Sequence, residues 1–224
     1  MTRLLVLRPE PGASATVQRA RRRGLDAIAI PLFAIEPVPW QAPDPAAFDA
    51  LLLTSANAVR HGGAGLQDLR RLPVRAVGLA TADAARDAGF AVASSGDAGV
   101  DRLLGSLEGD IRLLHLCGED RREPDRARQR ITPIAVYRAR EIAADLRQAG
   151  GSVALIHSPR AGARFAKLVD EAGIARGSVA IAAISAAAAD SAGDGWAAVE
   201  TAARPEEDAL LALAERLCNK PDGQ

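Results

Sequence analysis

Aromatic residues, cysteine and lysine are all scarce in this sequence, and each shortage excludes something. Aromatic side chains make up 3% of the 224 residues, so stacking surfaces for bases or flat cofactors are few and the core must be assembled from Ala, Leu, Val and Ile. Two cysteines, Cys117 and Cys218, stand at neither metal-binding nor redox spacing and cannot staple a chain of this size, which fits a reducing cytoplasm. Lysine occurs only at Lys167 and Lys220; the other basic residues are arginines, suited to bidentate carboxylate recognition. The 28 basic residues are balanced by 28 acidic ones, and no like-charge block is longer than Arg21-Arg22-Arg23, so no nucleic-acid partner is expected. The longest apolar stretch, Val179 to Ala189, has about half the length of a membrane span. The amino-terminal run Leu4 to Leu7 is ended by Arg8-Pro9, too soon for a signal peptide. The expectation is a cytoplasmic protein with no membrane partner.

What is present is alternation. Short apolar runs are followed by longer Ala/Arg/Leu-rich runs of helical period, starting with Leu4 to Leu7, Ser14 to Arg23 and Ala27 to Phe33. Buried parallel strands read as continuous apolar runs, as do Leu51 to Leu53, Ala76 to Leu79, Leu113 to Leu116, Val153 to Ile156 and Val179 to Ala182. The chain also resembles itself: Ala50 to Ala58 matches Ala154 to Ala161, and Val77 to Gly89 matches Ile181 to Gly193, at an offset of about 100 residues. The expected fold is α/β, two flavodoxin-like or Rossmann-like parallel-sheet domains related as internal repeats and joined by a two-stranded hinge. Prolines at 31, 37 and 39 and a β-branched run at Ile131-Thr132-Pro133-Ile134 mark two connectors, 31–40 and 131–140. Domain 1 is then discontinuous, residues 1–35 and 140–224, and domain 2 spans 38–134; the end, Asn219 to Gln224, reads as a disordered tail.

Four strand ends deliver a hydroxyl at or near a helix N-cap: Thr54-Ser55, Thr81, Ser158 and Ser185. Capping alone explains each. In a parallel sheet, however, all such ends lie on the carboxyl edge where ligands bind, and two edges facing across a hinge make an anion-binding cleft. Arg8, Arg160 and the Gly118-Glu119-Asp120-Arg121-Arg122 turn belong to that edge. Tyr137, the one tyrosine, falls on a connector, from which it either projects a phenol into the cleft as a hydrogen-bond or proton donor or packs the hinge. Gly62-Gly63-Ala64-Gly65 lacks the pattern of a phosphate loop and reads as a plain loop. His115 and Cys117 read as a core pair without a third metal ligand, His61 as a helix-end residue, and His157-Ser158 lacks a nucleophile elbow.

The ordered set Leu7-Arg8-Pro9, Leu51 to Asn57, Gly78-x-x-Thr81-Ala82, Leu116 to Arg122, Val136-Tyr137-Arg138, Ile156 to Ala161 and Ile184-Ser185 resembles the uroporphyrinogen-III synthase family over nearly the whole chain. The resemblance implies two α/β domains joined by a two-stranded ladder, no metal or organic cofactor, and one substrate, the polycarboxylate tetrapyrrole hydroxymethylbilane. It implies a cyclising hydro-lyase of heme biosynthesis: the bilane loses its ring-A hydroxyl, ring D is inverted through a spiro intermediate, and the macrocycle closes to uroporphyrinogen III. It carries Tyr137 as the catalytic acid and Arg8, Thr54, Ser55, Asn57, Gly78, Thr81, Gly118, Ser158, Arg160 and Ser185 as substrate-binding residues. Because the bilane also closes unaided to the uninverted isomer, positioning should outweigh any one proton donor. His157 and Ser185 depart from the family pattern, which more often has Thr or a small residue there, and 123–130 is too short and polar for the apolar-faced helix usual in the family. A monomer is expected. The alternative is a non-catalytic two-domain sensor that binds an anionic small molecule; a nucleotide-dependent enzyme is disfavoured by the missing glycine fingerprints.

Overall fold

The computed structural model describes residues 2–96, 99–121, 124 and 127–219. In chain order its elements begin β1 (Arg3–Val6), α1 (Gly12–Arg22), β2 (Ala27–Ala29), β3 (Phe33–Pro37), β4 (Ala50–Leu53), α2 (Ala56–His61), β5 (Val74–Val77), α3 (Leu79–Asp87) and β6 (Val92–Gly96). They continue with α4 (Val100–Gly105), β7 (Arg112–Gly118), β8 (Arg130–Glu141), β9 (Ser152–Ile156), α5 (Pro159–Glu171), β10 (Ala180–Ala183), α6 (Ala186–Asp190), β11 (Ala198–Thr201) and α7 (Glu207–Cys218). Two compact units result, one of Met1–Ala34 with Glu141–Gln224 and one of Ile35–Arg140.

In the first unit five parallel strands lie in the order β11-β10-β9-β1-β2. Register pairs Leu4 with Val153 and Val6 with Leu155, so one face of the sheet is a row of buried aliphatic side chains. Val17 and Ala20 of α1 and Leu210, Leu213, Ala214 and Leu217 of α7 close over that row. On α5, Phe165 has no exposed surface and stacks on Trp196 at 5.6 Å between ring centroids. Ser158 caps α5 and Pro159 opens it, where the missing N–H costs nothing.

In the second unit six strands lie in the order β3-β8-β7-β4-β5-β6, and those from β6 to β8 are parallel. Leu51, Leu53, Val74, Leu114 and Leu116 pack against Ala82 and Ala85 of α3 and against Leu66 and Leu69, which belong to a short 3-10 helix at Ala64–Leu69. Ala50, Leu52 and Leu113 point the other way, onto Leu103 and Leu104 of α4. That face has an unusual cover. Pro124, Ala127 and Arg128 are not helical, and Gln129 instead inserts its carboxamide, donating from Nε2 to the carbonyls of Leu104 (3.0 Å), Leu107 (3.3 Å) and Glu108 (3.1 Å). The remote side chain thus ties together carbonyls from the last turn of α4 and the residues that follow it. The rest of the short 123–130 segment, residues 123, 125 and 126, lies outside the described residues, as do residues 220–224 of the expected tail.

The proline-rich stretch 31–40 contains a strand, β3, at the sheet edge where proline is tolerated, and the run from Ile131 is part of the twelve-residue β8, hydrogen-bonded to β7. Three other expectations need correction. Ala27 to Phe33 is not one strand but the whole of β2 and the first residue of β3, split around Pro31. Gly62 ends α2 and Ala64–Leu69 is helical, so the glycine run is only in part a loop. Thr81 is not a cap: Gly78, at φ 83° and ψ 147°, holds that position with a backbone that side chains rarely adopt, while Thr81 lies buried in the first turn of α3.

The strand orders have a common form. Numbered from β4, the parallel part of the second sheet runs 3-2-1-4-5; numbered from β9 with β1 and β2 taken last, so does the first. In its own chain order the first sheet runs 2-1-3-4-5, the flavodoxin-like arrangement. Each order reverses once, between β4 and β7 and between β1 and β9, and ligands of such sheets bind outside the carboxyl ends of the strands at the reversal.

Candidate active site

At the reversal in the second unit β4 is followed by Thr54-Ser55 and β7 ends in Gly118. Ser55 is extended, at φ −152° and ψ 139°, and its Oγ accepts from the Asn57 N–H at 3.2 Å, capping α2. That bond uses an oxygen lone pair and leaves the hydroxyl proton to donate elsewhere. The phenol of Tyr137 lies beside that hydroxyl and the Gly118 N–H. Both favour the phenolate, but burial outweighs them and pushes the phenol above its ordinary value. The group is therefore a protonated acid at neutral pH, with an anion-stabilising arrangement already in place.

A register shift delivers Tyr137 to this point. Cys117 pairs with Ala135, yet Gly118 pairs with Tyr137, so β8 has one residue more than β7 between the two pairs. The irregularity sends Val136 fully into the core and brings Tyr137 alongside Gly118. Contact is so close that a Cβ on Gly118 would stand 2.8 Å from Tyr137 Cε2. His61, at the end of α2, lies with its ring centroid 6.4 Å from that of Tyr137, and burial beside Arg60 lowers its pKa.

Thr54 turns away from this group. Its Oγ1 is 3.0 Å from Nε2 of His115, which is 3% exposed and whose pKa is pushed down to about 4 by burial and, secondarily, by the charge of Arg121. Thr54 thus serves a neutral buried imidazole. Cys117 is buried, donates weakly to the Ile134 carbonyl at 3.5 Å and has a raised pKa from burial. His115 also borders a cavity of about 270 Å³ shared with Arg121, Gln129 and Pro133. Among the described residues no group of His, Cys, Asp and Glu could hold a metal ion, and no helix is long and apolar enough to cross a membrane.

In the first unit Ser158 and Ser185 cap α5 and α6, accepting from Ala161 N–H at 3.2 Å and Ala188 N–H at 3.3 Å. Arg160, in the first turn of α5, lies over the Phe33 ring at 4.7 Å. Arg8 is not an isolated cation: it pairs with Glu207 of α7 at 3.0 Å. Glu207 also accepts from Thr16 and pairs with His157 Nε2 at 3.2 Å. These donors hold its carboxyl down at about 2 against the opposing effect of burial. Sequence reasoning missed Glu207 and Thr16 because nothing local distinguishes a glutamate at the start of an amphipathic helix from an ordinary solvated one.

The HEM4 family model, uroporphyrinogen-III synthase HemD, matches residues 14–212. Among solved structures, the uroporphyrinogen-III synthetase of Helicobacter pylori 26695 aligns over 97% of this chain and 100% of its own, with 18% identity and a TM-score of 0.62, a likeness of fold. The uroporphyrinogen III synthase of Thermus thermophilus aligns over 97% of each chain at 18% identity with a TM-score of 0.42. No curated protein sequence matches. With the family model covering most of the chain, including Ser55, Gly118 and Tyr137, the chain belongs to the uroporphyrinogen-III synthase family.

Proposed function

We propose that the protein is a cyclising hydro-lyase of heme biosynthesis that converts linear hydroxymethylbilane to uroporphyrinogen III, inverting ring D and releasing water. The observation that carries the reading is the phenol of Tyr137 beside the Ser55 hydroxyl and the Gly118 N–H at the strand-order reversal. In the proposed reaction the C–O bond of the ring-A hydroxymethyl group breaks as Tyr137 gives its proton to the departing oxygen, which leaves as water. Ser55 and Gly118 steady the phenolate that remains. Ring D then attacks through the spiro intermediate, and the proton lost on closure restores the phenol.

The substrate carries eight carboxylates. Arg8, Asn57, Gly78, Ser158, Arg160 and Ser185 are proposed to receive them or to shape the backbone that does, through guanidinium groups and free backbone N–H groups rather than through net charge. Thr54 and Thr81 are left supporting roles, since one is bonded to His115 and the other is buried. The two halves are further proposed to be related copies, supported by their shared 3-2-1-4-5 strand order, connected through segments 31–40 and 131–140. The reaction as proposed needs no cofactor.

Tyr137→Phe tests the reading. Removing one hydroxyl from a half-buried ring should leave the circular dichroism spectrum unchanged and lower type III product formation about 10²-fold or more. Near-normal turnover would exclude Tyr137 as the acid.

A further inference from the structure

The reversal in the first sheet lies between β1 and β9, and four elements converge there on one carboxylate. Arg8 follows β1, His157 follows β9, Thr16 comes from α1, and Glu207 opens α7. Arg8 Nη1 donates to Glu207 Oε2 at 3.0 Å, His157 Nε2 meets the same oxygen at 3.2 Å, and Thr16 Oγ1 donates to Oε1. The set is sheltered: Thr16 is 1% exposed, and the Glu207 and His157 side chains 15% and 9%. Gly12 makes room for it, since a Cβ there would stand 2.6 Å from Arg8 Nε. Holding Nε2–H on Glu207 leaves His157 Nδ1 buried with no partner among the described residues. A cluster serving stability alone has no reason to leave that nitrogen open, whereas one organised around the carboxylate tolerates it.

The place where a doubly wound sheet takes a ligand's anion is thus filled by a carboxylate of the chain itself. Arg8 still keeps 37% of its side-chain surface, and of its five N–H donors Glu207 accepts from Nη1 alone. We propose that Glu207 is a positioning residue, which fixes the Arg8 guanidinium so that its outer donors meet a carboxylate of the substrate. Glu207 repels an anionic substrate and acts only through Arg8. The inference rests on the reading of the protein as a hydroxymethylbilane cyclase.

The test is steady-state kinetics and thermal unfolding of full-length wild type, Glu207→Gln, Glu207→Asp, Arg8→Gln and the Arg8→Gln/Glu207→Gln double variant. Glu207→Gln should raise KM for hydroxymethylbilane on the order of tenfold with kcat within about twofold. The double variant should be no worse than Arg8→Gln alone, because the two residues act as one unit. Glu207→Asp, which keeps the charge but retracts it by a methylene, should raise KM less and supplies the comparison if the amide folds poorly. An unchanged KM, or a KM effect that adds to that of Arg8→Gln, would reduce Glu207 to a fold-holding role and overturn the inference, whatever the melting temperatures. A lowered KM would show that Glu207 merely competes with substrate for Arg8, and overturns it too. Type I product alone from the wild type defeats the reading beneath the inference; an active wild type with an unmoved variant defeats the inference alone.

Discussion

Replacing Gly118 by alanine adds one methyl group at the most crowded point of the site. The new Cβ would lie 2.8 Å from Cε2, 3.0 Å from Cζ and 3.3 Å from the hydroxyl oxygen of Tyr137. Carbon atoms rest about 3.5–4.0 Å apart, so the ring must retreat by roughly 0.7–1.2 Å. Gly118 does not use a left-handed backbone, so alanine brings no dihedral strain and the whole effect is the collision with the ring. Overpacking of this kind costs about 1–3 kcal/mol, and for a chain of this length each kcal/mol lowers Tm by about 2–4 °C. The functional loss should be larger, because a retreating ring carries the phenol away from Ser55, and a displacement near 1 Å at a reacting group costs on the order of 10²-fold. Thermal unfolding and the rate of type III product formation measure the two effects. A Tyr137→Ala background supplies the control: with the ring gone, Gly118→Ala should cost less than about 0.5 kcal/mol. Equal losses in both backgrounds, or a Gly118→Ala protein with wild-type Tm and rate, would refute the reasoning.

Three further outcomes concern stability. His115 has a folded pKa of about 4 against about 6.5 unfolded, so as pH falls between those values the unfolded chain binds a proton that the folded one refuses. Stability should therefore decline by up to about 3 kcal/mol across that window, and His115→Gln should flatten the decline in denaturant titrations at pH 4.5 and 7. Thr54→Val, which leaves His115 Nε2 without a partner, should cost about 1–3 kcal/mol at neutral pH; no cost would show that the bond is unimportant. Gln129→Ala should cost about 1–2 kcal/mol and speed amide hydrogen exchange at the end of α4 and just after it, where the carbonyls of Leu104, Leu107 and Glu108 lose a donor, while unchanged exchange would contradict the bracing role.

The continuous apolar runs from Leu4, Leu51, Leu113, Val153 and Val179 were legible as strands because both sheet faces are covered, which forces every position to be apolar. β6 and β11 were not, since their alternating half-exposed residues lack that run. The three serines at Ser55, Ser158 and Ser185 were legible as caps from residue type and position. Thr81 was misread for an instructive reason: once Gly78 supplies the left-handed turn, the helix starts three residues earlier and the hydroxyl is carried into the core. Tyr137 could be nominated from the sequence, but not its neighbours, because the extra residue in β8 that sets it against Gly118 has no compositional mark. The Glu207 cluster was invisible for another reason. It joins residues 8, 16, 157 and 207, and only the parallel pairing of β1 with β9 and the packing of α7 bring them within hydrogen-bond distance.

The most direct measurement is the isomer composition of the porphyrin formed when the purified protein meets freshly generated hydroxymethylbilane, after oxidation and chromatographic separation, beside a control without protein. The account predicts predominantly type III product from the wild type and a return toward type I with Tyr137→Phe. Type I product alone, equal to the uncatalysed control, would contradict it.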